Sequence, residues 1–150
     1  VDWIKHAATA HEYISKWKRH KNVLEDLLLL FGHYADPIVR QNVVLSLDDA
    51  ELGDKQLSLI MPQLVQSLKW EAYDACALVN FLFNRALESP RKVGLTFFWQ
   101  IIVETSYKQQ HRERFVKYQQ QLMDYMEPAE RQKLEDQIGL WGENGAFARA

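Results

Sequence analysis

An all-α fold is what this sequence predicts, and three observations predict it. Apolar residues recur at helical spacing along most of the chain's 150 residues. The clearest case is residues 57–68, where Leu57, Ile60, Met61, Leu64, Val65 and Leu68 share one face of a helix at 3.6 residues per turn, while a strand would need period two. Six glycines and four prolines are too few for a loop-rich β fold. The helical segments also come in successive pairs of roughly 35–40 residues, the period of helical-repeat stacks.

Residues 1–20 carry Trp3, Ile4, Ala7, Ala8, His11, Ile14 and Trp17 at helical spacing. The flank of Lys16, Lys18, Arg19 and Lys21 reads as a solvated helix end that complements the dipole. Asn22 is expected to cap a second helix, with Glu25 at capping-box spacing, Leu24, Leu27, Leu28 and Phe31 as its buried face and Gly32 as its stop. These first two helices should form a hairpin. Asp36-Pro37 opens the third: the carboxylate accepts from orphan amides and proline presets the first φ. Ile38, Val39, Val43, Val44 and Leu47 are its expected inner face.

Asp48, Asp49, Glu51 and Gly53 form a solvated turn, since the oxygen spacing of a calcium loop is missing. Asp54 is the expected cap of the fourth helix. Pro62 inside it withholds a donor from the carbonyl of Ser58 and should bend the helix without breaking it. Asp74 is placed as the cap of a fifth helix with Ala77, Leu78, Phe81, Leu82 and Leu87 inward, and Ser89-Pro90 repeats the cap-then-proline start. Val93, Phe97, Phe98, Ile101 and Ile102 then line the sixth. Gly94 costs this helix about 1 kcal/mol against alanine, which calls for a packing reason such as a close helix approach. Residues 111–126 put Phe115, Tyr118, Leu122 and Tyr125 or Met126 on one face, and Pro128 opens a last helix towards Leu140. The architecture expected is a right-handed α-α superhelix, an armadillo/HEAT-like solenoid of about four antiparallel hairpins. Residues 1–140 would be one helical domain and 141–150 a frayed tail.

Hydrophobic residues make up 47% and charged residues 25%, the balance of an ordinary soluble protein. A net charge of -2 gives no field for sequence-independent nucleic-acid binding. Cys76 is the only cysteine, which excludes an internal disulfide and a multi-thiolate zinc site, and it is expected to be a small buried apolar residue. Neither a signal peptide nor a span of roughly 20 apolar residues is visible, so a soluble segment of a longer protein is expected. The five histidines are scattered. No phosphate-cradling loop, nucleophile elbow or zincin helix occurs, so no catalytic, cofactor or metal residue is assigned.

Three motifs in order carry a resemblance: residues 61–71 (Met-Pro-Gln-Leu-Val-Gln-Ser-Leu-Lys-Trp-Glu), 81–87 (Phe-Leu-Phe-Asn-Arg-Ala-Leu) and 94–99 (Gly-Leu-Thr-Phe-Phe-Trp). They resemble the helical accessory domain of phosphoinositide kinases, the 3-kinases above all, which reads L-P-Q-L-V-Q-A-L-K-[YF]-E, F-L-L-x-R-A-L and G-H-F-L-F-W. Met61, Ser67, Trp70 and Leu95-Thr96 depart from that pattern. Asp36-Pro37-Ile38-Val39-Arg40 followed by Val43-Val44 is similar to the family's D-P-x-V-R-x-x-A-V, with Val43 in place of alanine. The residues on which the resemblance rests are Asp36, Pro37, Arg40, Pro62, Gln63, Leu64, Gln66, Lys69, Arg85, Gly94, Phe98 and Trp99.

The resemblance implies a scaffold against which a kinase and a lipid-binding domain pack, with a regulatory subunit as a further partner. It implies no active site in this segment. The parent would use ATP and a divalent metal, reside in the cytoplasm and be recruited peripherally to membranes, with no direct insertion by this segment. The 3-position is favoured over the 4-position. A free-standing HEAT-type adaptor is the competing reading, since D-P-x-V-R also opens helices there. Trp99 is expected to be buried beside Phe98 and Ile102.

Overall fold

A computed structural model describes residues 3–16, 22–32, 34–107 and 109–144, and every regular element among them is helical. The chain divides into two compact units, Val1–Asn84 and Arg85–Ala150. The first contains α1 (Trp3–Lys16), α2 (Val23–Leu29), α3 (Pro37–Asp49), α4 (Asp54–Ser67) and most of α5 (Ala77–Glu88). The second holds the last residues of α5, then α6 (Leu95–Tyr107), α7 (Arg112–Tyr125) and α8 (Pro128–Asn144). No described helix is long and apolar enough to cross a membrane.

In the first unit both α1 and α2 pack on α3. The turn of the expected first hairpin, with Trp17, Lys18, Arg19 and Lys21, lies outside the described residues. Asn22 caps α2 as expected: its Oδ1 accepts from the Leu24 amide at 3.2 Å while its Nδ2 donates to Glu25 at 3.0 Å. The inner face of α2 differs from expectation. Leu24 and Leu28 are 69% and 60% exposed, and the buried positions are Asp26, Leu27 and Leu30. Asp26 turns inward because Ser46 of α3 donates to its carboxylate at 2.8 Å, so a polar pair fixes how α2 is rotated on α3. Gly32 does not adopt the left-handed C-cap conformation. Its reason is proximity, since an added Cβ would lie 2.7 Å from Cδ2 of Trp70, whose indole lies against the glycine.

Val43, Val44 and Leu47 are buried as the spacing predicts, whereas Ile38 is 40% exposed and Val39 half-buried. α4 runs through Pro62 without a break, and Leu57, Met61, Leu64, Val65 and Leu68 are sealed from solvent. Its cap is Gly53, one residue before the expected Asp54, and Gln56 reaches back to accept from the Gly53 amide at 3.1 Å. A six-residue irregular stretch, 71–76, precedes α5. There Cys76 takes the place expected of Asp74: its Sγ accepts from the Val79 amide at 3.4 Å, and the thiol is half-exposed, not buried. Leu78, Val79, Phe81, Leu82, Phe83 and Ala86 are the buried positions of α5; Ala77 is half-buried and Leu87 is 37% exposed.

In the second unit the cap-then-proline start at Ser89-Pro90 becomes a wide π turn, Pro90–Gly94, ahead of α6. Ser89 contributes its carbonyl, which accepts from the Gly94 amide at 3.0 Å, and makes no side-chain cap. Val93, Phe97, Phe98, Ile101 and Ile102 are buried as expected, and α6 packs on α7. On α7 the inward residues are Phe115, Tyr118 and Leu122, followed by Met126, while Tyr125 is 55% exposed. α8 continues through Gly139 and Gly142 to Asn144, past the expected end at Leu140. The rest of the expected frayed tail, 145–150, lies outside the described residues.

Candidate functional site

Two of the stretches that carry the resemblance, 36–40 and 61–71, meet in the first unit at Arg40. Helix α3 starts on Asp36, whose Oδ1 accepts from the amides of Ile38 at 2.8 Å and Val39 at 3.3 Å, with Pro37 in the first turn. One turn later Arg40 points inward and is 1% exposed. Its Nε donates to Oε1 of Glu71 at 2.8 Å, Nη1 to the carbonyl of Leu30 at 2.7 Å, and Nη2 to the carbonyl of Ser67 at 2.8 Å. A longer contact of 3.4 Å reaches the carbonyl of Tyr34. One guanidinium thus closes the C-terminal end of α2, satisfies a terminal carbonyl of α4 and neutralises the glutamate that ends the 61–71 motif. A buried charge needs this degree of saturation, because an unpaired one would cost several kcal/mol.

Above the pair lies a cleft of about 330 Å³ lined by Pro37, Arg40, Gln41, Glu71, Ala72, Tyr73, Ala75, Cys76, Ala77 and Asn80. Arg40 and Glu71 are buried, while Gln41, Tyr73 and Asn80 are exposed.

The second oxygen of Asp36 binds Nε2 of His11 at 2.9 Å, which ties α1 to the start of α3. Partial burial raises the Asp36 carboxyl, but the hydrogen bonds from His11 and from the amides of Ile38 and Val39 outweigh it, and its pKa lies below the usual aspartate value. A lowered folded pKa contributes stability that is present above the unfolded value, about 3.9, and lost as pH falls through the folded value. Asp36→Asn keeps a capping oxygen but removes the titration. The variant should therefore be less stable than the wild type at neutral pH, with the gap closing below about pH 3.9. Urea unfolding across pH checks this, and a gap independent of pH contradicts it.

The remaining expected site residues serve packing or lie on the surface. Leu64 is sealed in the core of α4, Pro62 and Lys69 are half-buried, and Gln63 and Gln66 are exposed. In the second unit Arg85 is half-buried, with its Nε 3.5 Å from Glu88. Gly94 is buried with a defined reason: an added Cβ would sit 3.0 Å from the Ala86 carbonyl oxygen and 3.2 Å from Cε of Met126. This is the close approach expected of it. Phe98 is fully buried and meets Trp99 edge-on at 5.6 Å. Trp99 itself is only half-buried, so its expected place in the core is corrected to the core's margin.

A second cleft, of about 280 Å³, lies in this unit between the π turn and α8, with Leu95, Met126 and Leu134 among its apolar lining. At its rim Glu130 is held by Arg91 at 3.2 Å and by Lys133 at 3.0 Å. Those two cations lower its carboxyl pKa, Arg91 first. Among the described residues no group of three or more His, Cys, Asp or Glu side chains could hold a metal ion.

Sequence reasoning missed Glu71, Ser67 and Leu30 as partners of Arg40, and also missed the His11–Asp36 and Asp26–Ser46 contacts. A charged residue at a core register of α3 was the available signal: Arg40 falls between Val39 and Val43, where an apolar residue is the ordinary choice.

Residues 1–135 match the family model described as "Phosphoinositide 3-kinase family, accessory domain (PIK domain)". The chain is 42% identical over 89 residues to the human phosphatidylinositol 4-phosphate 3-kinase C2 domain-containing subunit beta, covering 57% of this chain and 5% of that protein. It is 34% identical over 103 residues to phosphatidylinositol 3-kinase 1 of Dictyostelium discoideum, covering 67% of this chain and 6% of the relative. Phosphatidylinositol 3-kinase 2 of the same organism is 34% identical over 104 residues, covering 66% of this chain and 5% of the relative. The chain thus spans only 5–6% of the length of these relatives.

Proposed function

The chain belongs to the phosphoinositide 3-kinase family as its accessory (PIK) domain, and from that premise we propose that it is a non-catalytic scaffold within a phosphatidylinositol 3-kinase. The observation that carries this reading is how the matched residues are used. Asp36 caps a helix, Arg40 joins α2, α4 and Glu71, Leu64 and Phe98 fill the interior, and Gly94 permits a close approach. These are the roles of residues that hold a rigid body in shape, not of groups aimed at a substrate. In the parent, a kinase domain would supply ATP and divalent-metal chemistry, and this domain would position it beside a lipid-binding domain. A regulatory subunit is a further partner, and cytoplasmic residence with peripheral recruitment to membranes follows from the same reading.

The test compares this chain with the full-length parent. Calorimetric titration with magnesium-ATP and a kinase assay on phosphatidylinositol should be silent for the chain and positive for the parent. Exposed residues near the π turn supply the second arm. Glu88, Arg91 and Lys92 lie outside the core; Lys92 takes no part in the Arg85–Glu88 and Arg91–Glu130 pairs, so its charge reversal should change the parent's activity or assembly while the melting temperature of the isolated chain stays put. Saturable nucleotide binding with turnover by this chain alone overturns the scaffold reading.

A further inference from the structure

Among the tyrosine side chains that are described, Tyr73 is the most exposed of those outside a helix. It is 69% exposed in the irregular stretch 71–76, and its hydroxyl has no hydrogen-bond partner among the described residues. Tyr13 and Tyr125 are also exposed but belong to helices α1 and α7, and Tyr118 is buried. Tyr34 is less exposed, at 49%, and its carbonyl is tied to Arg40. A protein kinase binds its substrate segment extended, so a tyrosine already outside a helix needs no unwinding before it can enter. Asp74 follows Tyr73 directly, an acidic neighbour of the kind that an acid-directed tyrosine kinase selects.

From this placement we infer that Tyr73 is a tyrosine-phosphorylation site whose phosphate loosens the Arg40–Glu71 joint. The Tyr73 Oη attacks the γ-phosphorus of ATP bound to the modifying kinase. An Oη–P bond forms, the bond to the ADP oxygen breaks, and the phenolic proton passes to the kinase's base. The product carries a charge of about -1.5 to -2 at neutral pH. Tyr73 shares one cleft with Arg40 and Glu71. The new anion repels the Glu71 carboxylate and competes for the guanidinium that holds it at 2.8 Å. Both effects act in one direction, against the pair that closes the end of α4. The inference rests on the geometry of this loop and is independent of the scaffold reading.

Incubation of the chain with magnesium-ATP and an acid-directed tyrosine kinase, followed by peptide mapping, is the test. Tyr73 should be modified first, and Tyr73→Phe should abolish that product. Hydrogen exchange over residues 67–76 should then run about fivefold faster or more in the phosphorylated protein. In Glu71→Gln, which removes the repelled charge, the acceleration should shrink. Modification of Tyr13 or Tyr125 as fast as Tyr73, or a Tyr73 phosphoprotein with unchanged exchange, overturns the inference. An undiminished acceleration in Glu71→Gln overturns its mechanism.

Discussion

Arg40→Ala should destabilise the chain by about 3–5 kcal/mol, the range for removing one partner of a buried ion pair. The side chains of Arg40 and Glu71 are 2% and 6% exposed, so solvent screens neither. Alanine would take the guanidinium from the Glu71 carboxylate and its N–H donors from the carbonyls of Leu30 and Ser67, and each loss falls on a desolvated group. Against a typical domain stability of about 5–15 kcal/mol this is a large fraction. Arg40→Lys should recover little, because the single nitrogen of an ammonium cannot reproduce the planar spread of Nε, Nη1 and Nη2 over separate acceptors. The pair itself is a separate matter: Arg40→Met with Glu71→Leu should be less damaging than Arg40→Ala, since an apolar replacement removes both charges together. Urea unfolding of the variants decides it. A loss under about 1 kcal/mol for Arg40→Ala would mean that water or relaxation satisfies the orphaned groups.

What was legible in the sequence follows from where each determinant lies along the chain. Asp36-Pro37 could be read because a cap and the amides it serves are two and three residues apart. The buried faces of α4 and α6 could be read because their apolar residues repeat over three turns, long enough for the period to be unmistakable. Helix α2 has only seven residues, and four leucines in that space mark no single face. Its rotation is set by Ser46 binding Asp26, 20 residues away. The same limit hid the use of Arg40, whose acceptors come from positions 30, 34, 67 and 71. Gly32 was legible as a breaker but not for its reason, which is the Trp70 ring 38 positions later in the chain. Cys76 was weighed as a core residue, while its thiol at the start of α5 does the work of a weak cap. Motif residues such as Glu71 could be aligned with a family pattern, but their partners were visible only once the chain was folded.

Phe98→Ala and Trp99→Ala should differ, although the two aromatics are adjacent and both belong to the 94–99 motif. Phe98 is fully buried on α6, so truncation removes a whole ring from close-packed surroundings and should cost about 3–5 kcal/mol. Trp99 keeps part of its surface in solvent, so the transfer energy it gains on folding is partial, and its loss should cost about 1–3 kcal/mol. The rings meet at 5.6 Å and 80°, an edge-to-face contact that contributes about 0.5–1.5 kcal/mol beyond area. The double variant should therefore lose less than the sum of the singles by about that amount. Equilibrium unfolding of the four proteins closes the cycle. If Trp99→Ala were as damaging as Phe98→Ala, the indole would have to be a core element in solution. A melting temperature unchanged by Trp99→Ala, together with altered activity of the parent kinase, would instead make its exposed edge a contact for another domain.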